Sequence, residues 1–235
     1  MKAQTLIRGL VGCLALGLML TAWSGTALAL EEQKAIIKVE EATLALQEFM
    51  TQPDASSAQY LLKRGKAVAI FPGLVKAGFI VGGQYGTGVV LVRQENGEFG
   101  PPAFLTMGGA SVGLQIGAQA VNLFMVIMND KGLHGLYKNQ LKMGADASVA
   151  AGPVGRQTDA SLSALSMKAD IFSYSMTKGL FAGVSLEGVG LEFDYDTTAA
   201  YYHHKAGIMD VLNGVKVTPP PSAKKLMKTV DKFAR

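Results

Sequence analysis

Cysteine and tryptophan are all but missing from this chain. Each occurs once, as Cys13 and Trp23, both close to the N-terminus. The body of the chain therefore has no disulfide, no thiolate nucleophile and no cysteine metal ligand, and its fold must rest on packing. Histidine is nearly as scarce: His134, His203 and His204 are the only ones. None has a partner at metal-binding helical spacing, and the adjacent pair cannot share one helix face, so no metal site and no bound cofactor are expected. An excess of charge of one sign is absent too, with 22 basic residues against 18 acidic. A nucleic-acid binder carries a stronger basic surplus, so nucleic acid is not an expected partner.

Long apolar runs are also few. The one at the start, Leu10 to Ala22, comes after Lys2 and Arg8 and ends in small residues. It is short for a membrane span, and Ala27-Leu28-Ala29 fits a signal-peptidase cleavage site. Residues 1–29 are expected to be a cleaved signal peptide, with 30–235 one domain and a periplasmic or otherwise exported protein as the product. Leu10-Val11-Gly12-Cys13 offers a second route, a lipoprotein acylated at Cys13, although most of the apolar stretch lies beyond that cysteine. Without Lys2 and Arg8 the 22 basic residues fall to 20 against 18 acidic, so the mature part is only mildly basic.

Beyond residue 30 the pattern is helical to Met50. Ala35, Val39, Ala42, Leu46 and Phe49 recur three and four apart and line one face. Pro53 stops this helix, and Asp54 or Ser56 can cap a second through about Arg64. The pair reads as helices packed on their own domain, with a membrane-lying helix as the alternative. From Ala67 to about Leu191 short apolar runs alternate with glycines: Ala67–Phe71, Gly78–Val81, Gly88–Arg93, Phe99–Leu105, Val112–Ala118 and Ala120–Met128. Asn96-Gly97 predicts a tight antiparallel hairpin. A short helix from Asn129 to about Lys138 precedes further strands at Leu141–Ala150, Ser166–Thr177 and Leu180–Val189. Helices at Asp196–Lys205, at Ile208–Leu212 and from Ser222 to the end close the chain. The predicted class is α+β: an antiparallel, glycine-rich, strongly curled or partly closed sheet flanked by N- and C-terminal amphipathic helices.

Several phrases invite catalytic readings. Gly109-Ala110-Ser111-Val112-Gly113 fits the G-x-S-x-G elbow, and Asp170 or Asp194 with His203 would complete a serine esterase in chain order. The run from Val112 to Gly117 is a poor helix start, however, where the elbow demands strand, turn and helix. Gly82-Gly83-Gln84-Tyr85-Gly86-Thr87-Gly88 lacks the lysine and the helix of a phosphate loop. Asp194 and Asp196 could bind a cation, or simply end a strand and start a helix. No catalytic residue is assigned.

A resemblance is carried by phrases in order along the chain. They are Ala69-Ile70-Phe71-Pro72-Gly73, Lys76-Ala77-Gly78-Phe79, Gly86-Thr87-Gly88-Val89-Val90 and Gln115-Ile116-Gly117-Ala118-Gln119. Ala150 to Arg156 and Tyr174 to Gly188 complete the set. Together, from about 60 to 202, they resemble the SYLF family. The resemblance implies a lipid-binding, non-enzymatic protein, since eukaryotic members bind phosphoinositides. Fungal members also bind actin, which is not carried over to an exported protein. The implied partner is an anionic phospholipid surface at the cell envelope, with an envelope protein as the alternative. Oligomeric state is open. Headgroup binding in the family is linked to basic residues, and the matching positions are Lys63, Arg64, Lys66, Lys76, Arg156 and Lys178. The C-terminal set Lys224, Lys225, Lys228, Lys232 and Arg235 reads as a solvated helix face rather than a membrane anchor, its apolar side being only Leu226, Met227, Val230 and Phe233.

Overall fold

The computed structural model describes residues 28–155, 159–166, 168–177, 180–184, 186–205 and 207–235. The predicted signal segment up to residue 27, and with it Cys13, lies outside them. Helix α1 covers residues 28–50. A short 3-10 turn, Pro53–Ala55, leads into α2, Ser56–Arg64. The expected capping by Asp54 or Ser56 does not occur: Ala55 is the N-cap and makes no side-chain cap bond. The hydroxyls of Ser56 and Ser57 instead donate to the Gly155 carbonyl, at 3.2 and 2.6 Å.

Six predicted strands prove to be two. β1 runs unbroken from Ala67 to Val92 and β2 from Ala103 to Ile127, paired antiparallel along nearly their full length. The turn between them holds Gly97 at φ 84°, the left-handed geometry that Asn-Gly supplies. The glycines read as strand breaks are instead where this ribbon bends. Register shifts fall between Phe71 and Leu74 and between Gly78 and Ile80, and the arms of β1 fold towards each other. Gly88 permits this, because a Cβ there would strike the Ile70 carbonyl and stand 2.6 Å from the Phe71 ring.

The rest of the sheet hangs on β2. Its end pairs with β5, Ile171–Thr177, and its start with β7, Gly190–Phe193. β3, Gln140–Lys142, extends the β7 side, and β6, Leu180–Gly183, pairs with β5. All these pairs are antiparallel. The exception is β4, Val149–Ala151, which joins β5 in parallel and makes the curled sheet mixed. Between the strands lie α3, Asp130–Tyr137, and α4, Asp159–Ser166, and the chain closes with α5, Tyr195–Tyr202, α6, Ile208–Leu212, and α7, Pro221–Phe233. The last residue of α4, Ser166, is helical where a strand was expected to begin.

Both faces of the sheet are covered, which explains the continuous apolar runs. Alternate strand residues enter two cores. Val68, Ile70, Val89, Leu91, Phe124 and Phe172 pack under α1, α2 and α7. Ala69, Phe71, Val90, Leu105, Met125 and Ile171 face the concave side with Leu136, Val211 and Leu212. The five-residue stripe of α1 is wholly within the first core, where Phe49 meets Phe124 at 4.7 Å between ring centroids. α1 is thus packed on its own domain. No helix among the described residues is long and apolar enough to cross a membrane.

Candidate functional site

Three of the expected headgroup contacts, Lys63, Arg64 and Lys66, meet at one place, the step from α2 to β1. Their presence there has a local cause: the carboxyl end of a helix favours cations. What holds the step rigid is Arg93, a residue that no sequence motif marks. Its guanidinium donates to the carbonyls of Leu62 (2.8 Å), Lys63 (3.3 Å), Gly65 (2.9 Å) and Gly97 (2.6 Å). It thereby satisfies the last carbonyls of α2, which have no partner within the helix. The same group lies over the Phe99 ring at 4.4 Å, and the Phe99 N–H donates to Asp231 of α7 at 2.8 Å. Burial pulls the Arg93 pKa below its ordinary value, and Asp231 opposes that shift. The one sequence signal was position, an arginine directly before the hairpin turn.

The three cations differ in what they offer. Lys63 and Arg64 are exposed. Arg64 stacks on Tyr60, 3.6 Å from the ring centroid. Lys66 is half-buried and bound to Asp130, so its ammonium is already engaged. That contact, chiefly through its hydrogen bond, lowers the Asp130 pKa. Lys76 is not part of the cluster. It lies ten residues further along β1, roughly 30 Å of extended chain, opposite Gln119, and burial lowers its pKa. Arg156 and Lys178 lie outside the described residues.

The remaining candidates find structural work. Ser111 sits in the middle of β2, paired with Gly82, and strand continues on both sides. The strand–turn–helix of a nucleophile elbow is therefore absent at this serine. Asp170, the conceivable triad acid, is buried and accepts from the Asn129 amide, the Ser148 N–H and the Ser148 hydroxyl, each at 2.8 Å, with Lys131 at 3.1 Å. Burial pushes its carboxyl up, but these donors outweigh it and hold the pKa at about 2. Asp194 caps α5, accepting from the Thr197 N–H at 2.9 Å. His203 ends the same helix at φ 54°, with Nε2 3.1 Å from Glu32. Among the described residues no group of three His, Cys, Asp or Glu could hold a metal ion.

The comparisons with known proteins agree with one another. Residues 108–233 match the model of the family described as Ysc84: Las17-binding protein actin regulator. Protein YSC84 of Saccharomyces cerevisiae is 32% identical over 177 residues, which cover 74% of this chain and 37% of that protein. The SH3 domain-containing YSC84-like protein 1 of Bos taurus is 31% identical over 182 residues, 77% of this chain and 52% of its own length. LAS seventeen-binding protein 3 of Saccharomyces cerevisiae is 31% identical over 74% of this chain and 38% of its own. The chain thus spans about half, or less, of these relatives. No solved structure matches it.

Proposed function

The chain belongs to the SYLF (Ysc84) family, and from that premise we propose that it is a non-catalytic binding protein that docks on anionic phospholipid headgroups. The observation that carries the reading is the α2–β1 step. Two exposed cations, Lys63 and Arg64, stand there on backbone clamped by Arg93. A clamped step loses little conformational entropy when headgroups bind it, and each basic side chain near an anionic bilayer contributes about 1 kcal/mol. Export forms part of the same proposal, by cleavage after Ala29 or by acylation at Cys13. The intact mass of protein taken from cell envelopes separates these two routes.

Cosedimentation with vesicles tests the docking. Binding to phosphatidylglycerol-containing vesicles at low salt, about a Debye length of 10 Å or more, with weak binding at high salt and on neutral phosphatidylcholine, is the expected result. Equal binding to both vesicle types, or none, would remove the proposal. A second reading, a protein-interaction module, is favoured by the family's description and one relative's name, which specify binding to Las17 or LAS seventeen. Stoichiometric capture of one envelope protein, with no vesicle binding, would select it.

A further inference from the structure

The C-terminal helix carries a cationic face more regular than the α2–β1 step. At 100° per residue, Lys224, Lys225, Lys228 and Lys232 fall within an arc of about 100°, and Arg235 follows just beyond the C-cap Ala234. Ala223, Leu226 and Val230 project from the opposite side and are fully buried in the core beneath the sheet's convex face. The stripe is therefore exposed along a helix of 13 residues, about 20 Å. Its charge is almost uncompensated. Among the described residues no carboxylate lies within 4.0 Å of Lys224, Lys225, Lys228 or Lys232, and Arg235 reaches only Glu98, at 4.0 Å. The one acidic residue of the helix, Asp231, is turned aside to the Phe99 N–H.

Four like charges on one helix face repel one another, and an isolated helix would be weakened by them. Here the buried apolar side holds the helix in place, so the stripe persists as a fixed, flat row of positive charge. Its make-up points to one kind of partner. All four are lysines, compact charges that suit a plane of headgroups better than the two-pronged recognition of a single phosphate. One aromatic ring, Phe233, borders this face, half-buried and 5.5 Å from the Lys232 ammonium, whereas single-stranded nucleic acid requires a series of exposed rings to stack successive bases. The whole chain, at a formal charge of +4, is not broadly basic; the positive field is local. The α7 apolar side is committed to the core, so contact is through charge at the membrane surface, without insertion.

We propose that the exposed face of α7, formed by Lys224, Lys225, Lys228 and Lys232 and followed by Arg235, is the principal surface by which this protein adheres to an anionic bilayer. This deepens the docking reading above and rests on it, and it replaces the sequence expectation that this set is only a solvated face. The α2–β1 step is the secondary contact, joined to the carboxyl half of α7 through Arg93, Phe99 and Asp231.

The test uses the full chain and vesicles of phosphatidylglycerol in phosphatidylcholine, with three variants of matched fold checked by circular dichroism. K224Q/K225Q/K228Q/K232Q removes the stripe, K63Q/R64Q removes the step, and K138Q/K142Q/K168Q/K205Q removes four exposed lysines elsewhere. At about fivefold in partitioning per lysine, the α7 variant is expected to lose roughly 10²- to 10³-fold. The step variant should lose about 10- to 30-fold and the control less than about fivefold. Equal losses in the α7 and control variants would show an effect of net charge alone and overturn the assignment. Undiminished binding of the α7 variant, with wild type still bound, would also overturn it while leaving the docking reading intact. Failure of wild type to bind at all would remove the docking reading itself. Duplex DNA bound more tightly than vesicles would overturn the membrane in favour of a nucleic acid.

Discussion

Replacing Asp170 by asparagine removes one charge and almost no volume, so its effect isolates a hydrogen-bonded network. Asn129 donates to one carboxylate oxygen, and the Ser148 N–H and hydroxyl to the other, each at 2.8 Å. An amide must turn its NH₂ towards one of these donors. That leaves buried donors facing one another and strands Lys131, a cost of about 3 kcal/mol. A urea m-value of about 2–3 kcal/mol per M converts this into a midpoint lower by roughly 1 M. The pH dependence is the sharper readout. The folded-state pKa is depressed, from 3.8 to about 2, so the carboxylate stabilises fully above 3.8 and its contribution disappears as pH falls through 2. At about 1.36 kcal/mol per unit this is about 2 kcal/mol. The stability gap between wild type and Asp170→Asn should therefore narrow by that amount between about pH 5 and pH 2, measured by urea titration at each pH. A gap that stays constant over this range would show that the Asp170 charge is not what ties β4, β5 and α3 together.

Three further outcomes rest on particular contacts. Gly88→Ala should lower stability by at least about 2 kcal/mol in thermal unfolding, because the obstructing atom is the Ile70 carbonyl oxygen, which cannot swing away. Arg93→Met keeps the stem over Phe99 but leaves the carbonyls of Lys63 and Gly65 without their side-chain donor and that of Leu62 with only the Gly65 N–H, at 3.3 Å. A loss of about 2–3 kcal/mol is expected, with faster amide exchange confined to the end of α2. Ser111→Ala should leave ester hydrolysis at the wild-type background, since strand runs through the residue on both sides.

What could be read in advance was whatever local periodicity controls. The α1 stripe, the Asn96–Gly97 hairpin and the start of α5 at Asp194 each depend on neighbours within a few positions. The long ribbon did not declare itself, because glycine has two uses. It ends strands at turns, and it lets two strands bend closely over each other, and only the register Gly78↔Gly117 and Gly83↔Ala110 tells which applies. The parallel β4–β5 pair depends on a partner 22 residues away, as the bond from Ser148 to Asp170 shows. α4 was hidden because its alternating Ser, Ala and Leu carry little amphipathic signal. At the site, charge and exposure were legible for Lys63 and Arg64. The engagement of Lys66 by Asp130, and the clamp by Arg93, arise from tertiary contacts that no spacing encodes.

The fate of α1 on a membrane decides between two mechanisms of docking. If α1 were to leave the domain and lie on the bilayer, it would carry away Val39, Leu46 and Phe49, each at most 2% exposed, along with Ala35 and Ala42. Lipid could accept that face, so the helix itself would lose little. The cost falls on what it uncovers, since Ile70, Phe124 and Tyr174 beneath it are equally buried. At about 1.5–3 kcal/mol for each large apolar side chain exposed, three of them amount to roughly 5–9 kcal/mol, comparable with the whole stability of a domain. Docking through the charged faces of α2 and α7 exposes none of this. Amide exchange across residues 35–49 should therefore be as slow on phosphatidylglycerol vesicles as in solution, while exposed lysines of α7 become protected from acylating reagents. Rapid exchange of those α1 amides on vesicles alone would mean that the helix undocks, and that lipid adhesion works through its apolar stripe instead of through fixed surface charge.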